Sequence, residues 1–214
     1  MTAVPVLNAA AALASSYLLG SIPSAIWIAR LGYGIDIRQV GSRNPGMTNV
    51  LRVLGWKPAV PVALLDALKG FLAPWLAWTL TASASLALAC GFLAVLGHSF
   101  SCFASFRGGK GVLTAFGVFL YFVPTSSLTA LAAWMAVVSI TRYVSLGSIT
   151  AALILPLSIY LESRFRGDPG LFPVLAVAGL VAAFVLYRHR GNMARLANGT
   201  ENKFGSKGGW QERT

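Results

Sequence analysis

The chain has 214 residues, of which 56% are hydrophobic and 11% charged, with a formal net charge of +11 and a mean hydropathy of +0.69. A soluble domain carries about 25% charged residues, so this composition excludes one and indicates an integral membrane protein. Lipid offers no water to unpaired backbone groups, and the alternation of a membrane barrel is absent, so the expected class is all-α.

Residues 4–31 form the first apolar run, broken near Gly20 and Pro23. Residues 32–57 are a polar loop reading Gly-Ser-Arg-Asn-Pro-Gly-Met-Thr-Asn at 41–49, in which Thr48 is placed to cap a short helix through Leu54. Residues 58–80 are the second run and carry Asp66 and Lys69; residues 82–97 are the third. The loop 98–111 ends in Phe-Arg-Gly-Gly-Lys-Gly at 106–111. Residues 112–123 are apolar but cover under two-thirds of a ~30 Å core at ~1.5 Å per residue. Runs at 125–140, 146–161 and 171–187 follow, and a basic tail starts at Arg188. About seven transmembrane helices are expected; five is the alternative if short runs merge or drop out. With no repeat and no low-complexity linker, 1–214 reads as one domain. Residues 1–8 lack a basic n-region, so no cleavable signal is expected.

The cations set the sidedness. With seven spans, the loops 32–57, 98–111 and 141–145 share one side with the tail, and 14 of the 17 Lys and Arg lie there, counting Arg30 at the end of the first run. Arg164 and Arg166 fall on the other side. This asymmetry predicts an outside N-terminus and a cytoplasmic tail. It also argues against nucleic acid as the partner of the basic charge, because the cations lie in short loops where anionic head groups are met.

Each basic-side loop mixes its cations with glycines, hydroxyls or amides. In 106–111 two cations stand among three glycines, ahead of an apolar run whose helical N-terminus would face the same anion. This reads as a phosphate cradle, with a Gly-rich connector carrying positive-inside charges as the alternative; it is not a P-loop, since no Ser or Thr follows Lys110. In the first loop Gly41, Pro45 and Gly46 fix a turn and Ser42, Asn44, Thr48 and Asn49 offer donors, which an ordinary capped turn also does. Arg52 lies one helical turn beyond Asn49 and suits bidentate phosphate binding. Asp66 and Lys69 share a helix face and read as an internal supporting pair.

His98 and His189 are the only imidazoles. His98 stands at a span end, placed to cap its last carbonyls. Positions 103 and 194 are Phe and Ala, so no His-x4-Asp acyltransferase dyad exists, and there is no Gly-x-Ser-x-Gly elbow. Two His and few carboxylates predict no metal. Cys90 and Cys102 lack ligand spacing and read as plain thiols.

Five motifs in order carry a specific resemblance: Gly-Ser-Arg-Asn-Pro-Gly-Met-Thr-Asn-Val-Leu-Arg (41–52), Asp-Ala-Leu-Lys-Gly (66–70), Gly-His with Phe-Arg-Gly-Gly-Lys-Gly-Val (97–112), Thr-Arg-Tyr-Val-Ser-Leu-Gly-Ser (141–148) and Arg-His-Arg-Gly-Asn (188–192). From about Leu18 to Gly205 the chain resembles the bacterial acyl-phosphate:glycerol-3-phosphate acyltransferases. Arg43 stands where that pattern frequently has Gly, and Met47 where Ala is usual.

The resemblance implies a seven-helix inner-membrane enzyme that moves a fatty acyl group from acyl-phosphate to the 1-hydroxyl of glycerol 3-phosphate, giving lysophosphatidic acid. It implies no cofactor, and neither acyl carrier protein nor coenzyme A as direct donor. The site is expected at the cytoplasmic face, with Lys110, Ser42, Arg52 and Asn192 at the chemistry. Gly41, Asn44, Gly46, Thr48 and Asn49 in the first loop are expected to bind substrate, as are His98, Gly108, Gly109 and Gly111 in the second. Arg142, Ser145 and Ser148 in the third, and His189 and Arg190 at the tail, complete the set. The donor phosphate is expected on backbone N–H groups around Gly41–Ser42 and Gly108–Gly109. Arg52, Asn192 and Ser145 or Ser148 are expected on glycerol 3-phosphate. The rival class is a transporter or channel for a phosphate-bearing solute, which needs polar groups at the midplane and often repeated halves.

Overall fold

The computed structural model describes residues 3–205, and no strand occurs among them. Lys207 and Arg213, two cations of the tail, lie outside the described residues.

The first apolar run folds as two helices, α1 (Ala3–Ser21) and α2 (Ser24–Tyr33), bent by 43°. Pro23 causes the break, because it brings no N–H to the ladder. Side chains take the freed carbonyls: Ile22 O accepts Lys69 Nζ at 2.8 Å, and Ser21 O accepts the Ser101 hydroxyl. A helix broken at membrane depth requires such internal partners. Gly20 is not part of the break. It lies within α1, where a Cβ would run into the Ala94 backbone.

The chain continues through α3 (Met47–Leu54), α4 (Trp56–Thr81) and α5 (Ala84–Ser99), which is capped by Ser83 Oγ accepting from Leu86 N at 3.3 Å. Then come α6 (Val112–Phe122), α7 (Pro124–Thr141), α8 (Val144–Arg166), α9 (Phe172–Arg188) and the short α10 (Arg190–Ala197). Thr48 does not cap α3. The N-cap is Gly46 in an extended conformation, so Thr48 falls inside the first turn.

Among the described residues, five helices are long and apolar enough to cross a membrane, and the α1–α2 pair makes a sixth. The remaining apolar run, α6, has 11 residues and reaches only about half of a ~30 Å core. It packs among α4, α5, α7 and α9. The protein is thus an all-α, multi-pass membrane protein with a short helix inside its bundle.

Glycines set the closest crossings. Gly70 of α4 lies on the Thr114 carbonyl of α6, and Gly117 of α6 lies on the Ala67 carbonyl of α4. Gly97 of α5 sits against the Tyr17 carbonyl of α1. Lipid tails are as apolar as leucine, so helix association depends on such close approach rather than on expelling water. Leu88, Val95, Val118, Phe119, Ile159, Val181 and Val185 fill the space between α5, α6, α8 and α9. Leu64, Leu68, Leu153, Leu157 and Leu180 stay exposed on the outside of the bundle, where a lipid-facing surface needs them.

Candidate active site

A cavity of about 380 Å³ gathers residues from all four basic-side segments. Its polar part is lined by Ser42, Asn44, Gly46, Thr48 and Arg52 from the first loop and α3, and by Lys110 and Gly111 ahead of α6. Asn49, Asp66 and His98, Ser145 and Ser148 of α8, His189 and Asn192 at the α9–α10 junction, Arg195 of α10, and Glu201 and Asn202 of the tail also line it. The same cavity continues between Phe116, Phe119, Leu131, Trp134, Leu155 and Val181. One void therefore joins a cationic mouth to an apolar interior.

The first loop is shaped by Asn49, which is buried. Its Nδ2 donates to Ile37 O at 2.9 Å and Val40 O at 3.0 Å, and its Oδ1 accepts Ser42 N at 2.8 Å. Those bonds fill its amide, so Asn49 pins the loop rather than offering donors to a ligand. The Ser42 N–H is likewise spent, while Ser42 itself lines the cavity. Gly41 is absent from the cavity wall; at φ 59° it closes the turn on Asn49, where a Cβ would collide with Oδ1. Arg43 adopts φ 60°, a left-handed conformation that glycine enters freely, which accounts for the frequent Gly of the pattern.

The glycines of the second loop also differ from expectation. Gly108 N donates to Ser99 O at 3.1 Å and Gly109 N to His98 O at 3.2 Å. Neither N–H is free for a phosphate. A Cβ on Gly108 would meet the His98 carbonyl, and one on Gly109 the His98 ring. These glycines let the loop lie flat on the end of α5. Arg188 Nη2 clamps it from the other side, donating to Gly108 O at 3.1 Å and Gly109 O at 2.8 Å. The clamped loop delivers Lys110 and Gly111 (φ 80°) to the cavity at the N-terminal end of α6.

Lys110 Nζ donates to Asn192 Oδ1 at 2.5 Å. Burial pushes the Lys110 ammonium down from its ordinary value to about 8. The Glu201 carboxylate opposes that fall, while Arg195, Arg188 and Arg52 add to it. His189 is buried, with Nδ1 at 2.8 Å from Val185 O. Burial first, then the Lys110 charge, bring its imidazole down to about 4, so it is neutral at pH 7. A carbonyl partner makes Nδ1 the protonated nitrogen, and Nε2 is then an acceptor. Burial also lowers the Arg52 guanidinium from its ordinary value.

Like Gly41, Gly108 and Gly109, the expected binders Arg142 and Arg190 stand apart from the cavity. Arg142 is the left-handed cap of α7 at φ 62°, and its carbonyl accepts Phe204 N at 2.6 Å. Arg190 stacks over the Tyr187 ring at 4.4 Å and donates to Tyr187 O at 3.2 Å. His98 does not cap its helix; its Nδ1 lies 3.5 Å from Asp66 Oδ1. Asp66 also pairs with Lys69 at 2.8 Å and accepts the Ser24 hydroxyl at 2.5 Å. The cluster ties the broken α1–α2 span to α4 and α5, and Asp66 and His98 themselves line the cavity, so the expected binder His98 does stand at the site.

Sequence reasoning passed over Glu201, Arg195 and Asn202, which all line the cavity. A signal existed for Glu201: it is the first carboxylate after the cations at 188, 190 and 195.

Comparison with known proteins identifies the family. The sequence model of the family described as glycerol-3-phosphate acyltransferase matches residues 10–199. A glycerol-3-phosphate acyltransferase of Fusobacterium nucleatum subsp. nucleatum is 45% identical over 189 residues, covering 88% of this chain and 94% of that one. Glycerol-3-phosphate acyltransferase 1 of Deinococcus radiodurans is 47% identical over 201 residues, covering 94% and 98%. The crystal structure of PlsY, an integral membrane glycerol 3-phosphate acyltransferase, in its glycerol 3-phosphate form superposes with a TM-score of 0.83 at 40% identity, over 92% of this chain and 96% of PlsY. Its lysophosphatidic acid form gives 0.81 at 39%. The chain belongs to the glycerol-3-phosphate acyltransferase family.

Proposed function

We propose that this protein transfers a fatty acyl group from acyl-phosphate to the 1-hydroxyl of glycerol 3-phosphate, releasing phosphate and lysophosphatidic acid. The observation that carries the reading is the single cavity with a cationic mouth and an apolar interior. Two phosphates need the first, and an acyl chain needs the second. The PlsY neighbours are described in forms named for glycerol 3-phosphate and for lysophosphatidic acid, the acceptor and product of this reaction.

The 1-hydroxyl oxygen attacks the acyl carbonyl carbon, the acyl C–O bond to phosphate breaks, and the hydroxyl proton leaves on a phosphate oxygen. Phosphate is a good leaving group, so the protein's part is positioning and charge stabilisation. Lys110, at the positive end of α6, meets the donor phosphate and the developing oxyanion, with the Ser42 hydroxyl beside it. Arg52, Asn192 and the Ser145 or Ser148 hydroxyl hold glycerol 3-phosphate, and His189 Nε2 accepts from one of its hydroxyls.

The purified protein, given radiolabelled glycerol 3-phosphate, should form lysophosphatidic acid with acyl-phosphate. It should form none with acyl carrier protein thioester, coenzyme A thioester or no donor. Transfer from a thioester alone overturns the donor assignment. The site faces the cytoplasm of a bacterial inner membrane in this reading. With native thiols replaced by serine, a cysteine at Asp168 should react with an impermeant reagent in intact cells and one at Arg107 should not; the reverse pattern inverts the topology.

A further inference from the structure

The tail after α10 does not run off into solvent. Gly199 turns it at φ 68°, Thr200 N donates to Arg195 O at 2.8 Å, and Phe204 N donates to Arg142 O at 2.6 Å. The strap between these points carries Glu201 into the cavity wall, with its side chain only 6% exposed. Glu201 Oε1 accepts Asn192 Nδ2 at 2.7 Å and Ser145 Oγ at 2.9 Å, and Oε2 accepts Arg195 Nε at 2.7 Å.

We propose that Glu201 is a positioning residue, which orients Asn192 and, through it, sets Lys110 for the reaction. The inference rests on the reading of Lys110 given above. An amide has one accepting and one donating end, and here both are claimed. Lys110 takes the oxygen and Glu201 takes the nitrogen, so the carboxylate decides which way the amide of Asn192 points. With the amide reversed, its NH2 would face the Lys110 ammonium, and the hydrogen bond between the two side chains would be lost. The same carboxylate oxygen holds the Ser145 hydroxyl, so two groups assigned to glycerol 3-phosphate share one anchor. Glu201 also supplies negative charge amid Arg52 of α3, Lys110, Arg188 and neutral His189 of the α9 end, and Arg195 of α10. A plain structural pin for the tail would need the Arg195 bond alone. The bonds to Asn192 and Ser145 point inward, to the reacting groups.

The pH dependence of Lys110 labelling separates positioning from pinning without relying on turnover. Lys110 in the detergent-purified protein is reductively methylated across a pH series, and its modification is read by mass spectrometry. Glu201 raises the Lys110 titration and Arg195 lowers it, so the two substitutions act in opposite senses. Glu201→Gln should move the Lys110 midpoint down by roughly one unit, and Arg195→Ala should move it up. Alongside, Glu201→Gln should lower kcat about 10–100-fold and leave the KM for acyl-phosphate near its original value. Midpoints that stay put, or move in the same sense, overturn the proposal, as does a retained kcat. Should Glu201→Gln fail to fold, Glu201→Asp takes its place: its shorter side chain withdraws the carboxylate from Asn192, so a lowered kcat with an unchanged KM for acyl-phosphate supports the proposal and a retained kcat refutes it. A native protein inactive with acyl-phosphate would sink the donor assignment, while the labelling would still judge the network.

Discussion

Two groups of charged side chains lie close together in this protein and do different things. In the Asp66 cluster one carboxylate is met by Lys69, His98 and the Ser24 hydroxyl, and Lys69 also donates to the Ile22 carbonyl at the helix break. Supply and demand are matched inside the bundle. At the cavity mouth, among the described residues, Arg52, Lys110 and Arg195 stand around the carboxylate of Glu201, while Asp66 lines the same cavity with its own cation already in place. There the cations outnumber the acid, and Lys110 is pushed towards neutrality by burial and by its neighbours. A balanced cluster in a membrane protein holds helices together; one left short of anions is poised for a ligand that brings them.

Substitutions should separate the two clusters by what they damage. The largest effect is expected from Asp66→Ala, which strands the Lys69 ammonium in the bundle. Breaking a buried pair by removing one partner costs about 3–5 kcal/mol, so the thermal unfolding midpoint in detergent should collapse. An unchanged midpoint would mean that the cluster is not structural.

Next is Lys110→Ala. Loss of one preorganised cation should cut turnover about 10²–10³-fold. Because the substitution relieves repulsion among cations, the unfolding midpoint should hold or rise. A fall in stability matching that of Asp66→Ala would erase the distinction drawn here.

Arg52→Lys is a smaller perturbation of the same mouth. It keeps the charge and loses the planar fork, so the KM for glycerol 3-phosphate should rise about ten- to hundredfold while that for acyl-phosphate moves little. A rise confined to acyl-phosphate would exchange the two phosphate sites.

The mildest test uses pH alone. The Lys110 ammonium, depressed to about 8, is charged below that pH and lost above it. Activity should therefore decline as pH rises through about 8, by a few-fold per unit. Thermal stability should move the other way: the unfolded chain holds this proton more tightly than the folded protein does, so the unfolding midpoint should hold or rise as pH climbs above about 8.

Much of this molecule was open to reading from sequence. Membrane class follows from composition, and four polar segments on one side follow from where the cations lie between apolar runs. Pro23 announces its break because a residue without an N–H cannot continue a helical ladder. The roles of individual polar groups were harder. Gly108 and Gly109 read as a cradle, yet their N–H groups go to the end of α5, since only the folded loop shows which carbonyls lie opposite. Asn49 reads as a ligand donor and proves to be the pin of its own loop. Arg142 and Arg190 share motifs with cavity residues but point elsewhere, because sequence proximity does not fix side-chain direction.

By itself the sequence determined the solvent, the helices and the chemical types at the mouth. Those are local matters of hydropathy, spacing and residue identity. Only the tertiary structure decided which donors remain free, that an apolar chamber continues behind the cations, and that Glu201 returns from the tail to hold Asn192 and Ser145. Each of these is a pairing between segments far apart in the chain. A hydrogen-bonding group is available to a substrate only after every such pairing has been made.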